Sequence, residues 1–116
     1  MGEPRTELEA GESVVREARA NMRRGAEHVG GRLFLTDRRL IFESHAFNIQ
    51  RGGTEIPTAG ISELRKTWTR FLGTVPLAPT TLVVTDHEGT EHEFVVRGRP
   101  EWIREIERVR VAHRLG

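Results

Sequence analysis

The chain has no cysteine and no tyrosine, only 6% aromatic residues, a single lysine, and no long apolar run. Without cysteine there is no disulfide framework, no thiolate zinc site and no cysteine redox chemistry, a usage compatible with a reducing compartment. No stretch approaches the roughly 20 apolar residues that cross a bilayer as a helix. The start, Gly2-Glu3-Pro4-Arg5, lacks the basic and apolar regions of a signal peptide. These absences lead us to expect a soluble cytoplasmic protein. Its 116 residues suffice for one domain around one core.

Charge of one sign is also in short supply. The formal net charge is +1, too small for a long-range field, so any charged partner must be met by a local patch. Of the 18 basic residues all but Lys66 are arginine. Guanidinium groups suit bidentate phosphate or carboxylate recognition. A uniform preference for Arg in a chain rich in Ala, Gly and Val is more simply the compositional mark of GC-rich coding.

The patterns that carry chemistry are missing as well. His28, His45, His87, His92 and His113 form no HxH or HExxH spacing, so no metal site is expected. Ser13, Ser44 and Ser62 lack the flanking glycines of a nucleophile elbow. The glycine-rich pieces match neither phosphate-cradling motif, and Arg51-Gly52-Gly53 is one isolated copy of an RGG unit. Together these exclude any sequence case for an enzyme, a cofactor or a nucleic-acid partner.

What the chain does have is periodicity. In residues 31–45, Leu33 and Leu35 alternate with Phe34 and Thr36, and Leu40 and Phe42 alternate with Ile41 and Glu43, around the polar turn Thr36-Asp37-Arg38-Arg39. This predicts a β-hairpin with both faces covered. A second hairpin is predicted from Thr80–Asp86 and Thr90–Val96, with Leu82 and Val84 facing Phe94 and Val96 across a turn containing Gly89. Short strands are expected near Thr54–Ile56, stopped by Pro57, and from Ile61, with Leu64 and Trp68 on one face. From about Pro100 to His113, Trp102, Ile103, Ile106 and Val109 form one apolar helical stripe, with Glu101 early and Arg108, Arg110 and Arg114 late. Residues 13–22 fit either a helix capped by Ser13 or a strand with Val14, Ala18, Ala20 and Met22 inward. Arg23–Gly30, residues 46–53 and Arg70–Pro79 read as loops. Residues 1–10 are expected to be a mobile segment ahead of a single domain over 11–114.

Gly-Arg followed by Leu-Phe-Leu-Thr, a short polar turn and Arg-Leu-Ile-Phe resembles the signature of GRAM domains, which share the pleckstrin-homology superfold. The similarity extends to Gly11-Glu12-Ser13-Val14-Val15, to residues 54–66, to Glu93-Phe94-Val95-Val96 and to the terminal helix. It implies a mainly β fold in which a seven-stranded, strongly bent sheet, or partly open barrel, is capped by one C-terminal α-helix. It places a first strand at residues 13–22, and implies binding of lipid head groups or proteins in place of catalysis.

In pleckstrin-homology relatives the first loop forms the head-group pocket, which points here to Arg23, Arg24 and Arg32 as an anion site. The further basic position two residues into the second strand is Phe34 in this chain, a departure that argues against a stereospecific phosphoinositide pocket. A solvated arginine cluster balanced by Glu27 is the competing reading. A second candidate surface is apolar: Phe47 and Ile49, with Arg51 beside them, and Phe71, Leu72, Val75 and Leu77, of which Phe71 or Leu77 is expected to be partly buried and Phe47 exposed. The functional expectation is a non-catalytic module docking on anionic lipid head groups or a phosphorylated ligand, peripherally at the inner face of the membrane. The alternative is a protein-interaction module, an adaptor or homo-oligomer, using a sheet edge or the apolar loops.

Overall fold

The central hairpin forms as its alternation dictates. Strands β2 (Glu27–Thr36) and β3 (Arg39–Ser44) pair Leu33 with Phe42, Phe34 with Ile41 and Leu35 with Leu40, and all six side chains are buried. This computed structural model describes residues 3–45, 53–71 and 75–115, with the side chains of 68–71, 75–80 and 113–115 left out of the description. The other elements are β1 (Val14–Arg24), β4 (Thr54–Pro57), β5 (Glu63–Phe71), β6 (Val75–Thr85), β7 (Glu91–Val95) and the helix α1 (Arg99–Leu115). The strands make one antiparallel sheet in the order β4-β3-β2-β1-β7-β6-β5.

Ile56 on one edge strand and Leu64 on the other belong to the same apolar cluster. Seven strands spaced about 4.8 Å apart would hold the edges of a flat sheet nearly 30 Å apart, so the sheet must bend around its core. Trp102, Ile106 and Val109 of α1 close that core with the inward residues of β1, β2, β3, β6 and β7. Pro100 occupies the first turn, where a missing N–H costs nothing. Gly98, at φ 73°, turns the chain into the helix, and its carbonyl accepts a hydrogen bond from Trp102 N–H. The guanidinium of Arg16 lies 5.3 Å over the Trp102 ring.

Of residues 13–22, all from Val14 onward are strand, and Ser13 lies just before it. Ala20 and Met22 are buried and Ala18 packs against the core, as the strand alternative requires. Near its start β1 slips register between Val14 and Arg16, and this bulge puts Val15 against the core in place of Val14, which the alternation had placed inward.

Two expected loops are corrected. Arg23–Gly30 is not a loop: β1 and β2 stay paired to Arg24 opposite Glu27, and Gly25, at φ 61°, and Ala26 make the connection. Ladder hydrogen bonds come from the backbone, so pairing outlasts the apolar alternation, which stops at Met22. Arg70–Pro79 is largely strand as well, with Arg70 opposite Pro76 and Phe71 opposite Val75 across register shifts. Proline lacks the N–H a ladder needs. Here β6 pairs with β7 only from Thr81 onward, so Pro76 and Pro79 lie where β6 has a single neighbour.

The polar N-terminal residues have a definite seat. The buried Glu43 carboxylate on β3 accepts hydrogen bonds from Arg5 N–H at 3.0 Å and from both the N–H and hydroxyl of Thr6 at 2.7 Å. Arg39 donates to the Glu7 carbonyl and Arg38 to the Ala10 carbonyl. Glu3 and Arg5 help wall a cavity of about 370 Å³ that Phe34 also lines.

Candidate binding site on the outer face

Because Ala18, Ala20 and Met22 point inward, Glu17, Arg19, Asn21 and Arg23 must point outward from β1. Residues directly opposite on neighbouring strands share a face, so register writes this surface in rows. One row runs Glu17, Phe34, Ile41, Glu55. The next runs Arg19, Arg32, Glu43. The third joins Asn21 to Gly30, whose carbonyl accepts His45 N–H. Gly30 brings no side chain to this row: a Cβ there would come within 3.3 Å of both Asn21 Oδ1 and the His45 ring.

β1 pairs with β7 only at Asn21 and Met22. Beyond that point a cleft of about 960 Å³ opens, lined by Arg19, Asn21, Arg32, His45 and Arg97, with Gly31 among the small residues between them. Arg32 donates to Glu17 at 3.1 Å. Arg19 and Arg97 have neither an ion pair nor a hydrogen-bond partner among the described residues. Arg19 moreover stands directly opposite Arg32, and like charges so placed repel.

A second basic corner is saturated. Arg39 donates to Glu12 at 2.8 and 2.9 Å and pairs with Glu55, while Arg38 pairs with Glu9 at 2.8 Å. The Glu12 carboxylate, which also accepts the Thr36 hydroxyl at 2.6 Å, is held down to about 2, chiefly by the Arg39 hydrogen bonds acting against the cost of burial. On the β6–β7 turn, Asp86 is lowered mainly by His92 at 2.9 Å, helped by the N–H groups of Thr90 and Glu88.

Arg23, Arg24 and Arg32 are not brought to one point by this register. Arg23, opposite His28, is four residues along β1 from Arg19, the partner of Arg32, a separation of roughly 13 Å. It also donates to Glu93 at 3.3 Å and to the Gly25 carbonyl at 2.9 Å. Arg24 has the parity of the inward residues, at the exposed tip of the hairpin. Phe47, Ile49 and Arg51 lie outside the described residues, as does Leu72. Sequence reasoning missed Arg19 and Arg97. The strand alternative for residues 13–22 already put Arg19 outward, but its neighbours depend on register.

No three His, Asp or Glu side chains among the described residues group as a metal ion would need, and no described helix is long and apolar enough to cross a membrane. The fold is similar to that of the Vps36 N-terminal PH domain, at 16% identity and a TM-score of 0.68 over 95% of this chain and 87% of that one. It is also similar to the C-terminal domain of an unknown protein from Leishmania infantum, at 16% identity and a TM-score of 0.67 over 88% and 87%. No curated protein matches the sequence. The GRAM domain family model matches residues 3–98, from the seated N-terminal segment through all seven strands to the turn before the helix, and the chain therefore belongs to the GRAM domain family.

Proposed function

We propose that this GRAM domain is a non-catalytic module that docks on anionic membrane surfaces, at the inner face of the cytoplasmic membrane, through Arg19 and Arg97 with Arg32 beside them. Domains of this family and fold are typically binding modules without catalytic chemistry. The observation that carries the lipid reading is the pair of arginines on the cleft with no carboxylate partner among the described residues, in a chain that pairs most of its other described arginines. Arg23, held by Glu93, and Arg24, which has the opposite parity on β1, contribute less.

Co-sedimentation with anionic and neutral liposomes over a salt series tests this. Attraction to an anionic surface is worth about 1 kcal/mol per basic residue. Arg19→Ala with Arg97→Ala is therefore expected to weaken binding by about 2 kcal/mol, roughly thirtyfold. Arg104→Ala with Arg108→Ala removes the same charge from residues paired to Glu101 and Glu105 and is expected to cost far less. Equal losses would reduce the effect to general attraction, and no binding at low salt would end the lipid reading.

A protein partner is the second reading, and the nine-residue edge strand β5 favours it, since one side of its backbone has no neighbouring strand among the described residues. Strand addition there would survive salt that abolishes lipid docking, because screening acts over about 8 Å at physiological ionic strength.

A further inference from the structure

We infer that the cleft between β1 and the end of β7 is a site for one phosphomonoester group, held by Arg19, Arg32 and Arg97. This rests on the reading of the outer face as the binding face and names the chemistry it selects. Arg19 and Arg97 bring to one cavity two positive charges that have no ion-pair partner among the described residues. A phosphomonoester carries about −1.5 to −2 at neutral pH and offers three strong acceptor oxygens. It matches both the charge and the forked donor geometry of guanidinium groups, whereas a single carboxylate or a phosphodiester carries only one negative charge.

The arrangement is unfavourable without such a ligand. Arg19 faces Arg32 across the β1–β2 ladder, and among the described residues only Arg32 is relieved, by Glu17. An anion bound between them turns a repulsive pair into two attractive contacts. The volume of about 960 Å³ exceeds what a phosphate fills, leaving room for the group it esterifies.

The two adjacent glycines divide the work. A Cβ on Gly31 would come 2.1 Å from the Glu43 carbonyl oxygen, a backbone atom that cannot yield, so Gly31 is required by the close approach of β3. A Cβ on Gly30 would meet only the ends of the Asn21 and His45 side chains, both of which line the cleft. Gly30 thus keeps space open beside the arginines, and a side chain there would push Asn21 and His45 toward the ligand's seat.

The test compares phosphatidylcholine vesicles carrying phosphatidic acid, a phosphomonoester, with vesicles of matched surface charge carrying phosphatidylserine, a phosphodiester. Glycerol phosphate serves as a soluble competitor. About tenfold tighter binding to the phosphatidic acid vesicles is expected, one well-made contact's worth, with glycerol phosphate removing the difference. Arg19→Gln with Arg97→Gln should abolish the preference with the melting temperature preserved, Gly30→Ala should reduce it, and Arg104→Gln with Arg108→Gln should leave it intact. Glu17→Gln, which frees Arg32, should raise affinity severalfold.

Equal binding to both vesicles without competition overturns the phosphomonoester site and leaves membrane docking standing. Binding of glycerol phosphate, lost in the Arg19 and Arg97 variant, with no vesicle binding supports the site for a free phosphate ester and overturns membrane docking. A preference that persists in that variant also overturns the inference.

Discussion

Two arginine-bearing regions of the same sheet face differ in one respect. At the corner by the β2–β3 turn, Arg38 and Arg39 are consumed: carboxylates of Glu9, Glu12 and Glu55 and carbonyls of Glu7 and Ala10 take up their donors. At the cleft beside β7, Arg19 and Arg97 have no partner among the described residues. The saturated corner fastens the N-terminal segment to the sheet, a structural use that leaves nothing for a ligand. The unsaturated cleft contributes no such bond and leaves its charge available. Counting arginines cannot separate these roles, whereas counting their carboxylates does.

The sharpest way to break the comparison is to remove the central cation of the saturated corner. Glu12 has a fully buried side chain, and its charge is held by Arg39. Truncating one partner of a buried ion pair leaves the other uncompensated, at a cost of about 3–5 kcal/mol. Arg39→Ala is expected to lower stability by that order in chemical denaturation, and the double variant with Glu12→Gln should recover part of the loss. A native-like midpoint for Arg39→Ala would mean that the corner is no more structural than the cleft.

Acid probes the same corner without mutation. Glu12 titrates at about 2 in the fold against its ordinary 4.5, so the unfolded chain binds this proton first as pH falls. Its stabilisation is complete above about pH 4.5 and drains away between there and pH 2, for a total on the order of 3 kcal/mol. Asp86, also lowered, adds in the same direction over the acid range. Unfolding curves across this range should show the decline, and Glu12→Gln should flatten much of it. An unchanged acid slope in that variant would assign the loss elsewhere.

Much of the fold is legible in the sequence. Leu33, Leu35, Leu40 and Phe42, then Leu82, Val84, Phe94 and Val96, form the inner face their alternation implied, and Trp102 is the buried anchor of the helix. The errors share a cause. Arg23–Gly30 and Arg70–Pro79 carry no apolar alternation or contain prolines, yet both are largely paired strand, because a ladder is held by backbone groups that composition does not reveal. The site was less legible for a related reason. Whether an arginine is free depends on partners far away in sequence, such as Glu12 for Arg39, 27 residues apart, or Glu93 for Arg23, 70 apart. Register decides those pairings, and register is long-range.

The smallest expected effect is the one that separates the two regions most directly. If Arg19 makes no stabilising contact and only repels Arg32 across the ladder, then Arg19→Ala removes a penalty and breaks no bond. Like charges placed opposite each other on adjacent strands cost roughly 0.2–1 kcal/mol, and exposure to solvent pushes this pair toward the lower end. The lower strand propensity of alanine works against the gain. The net expectation is a change within about 0.5 kcal/mol of zero, the ordinary range for surface substitutions. Added salt sharpens the measurement, since it screens the repulsion in the wild type and has none to screen in the variant. The stability difference should therefore move in favour of the wild type as ionic strength rises. A loss above about 1 kcal/mol, outside that surface range, would show that Arg19 is held by the fold after all, and the distinction between a saturated corner and an open cleft would fail at its central residue.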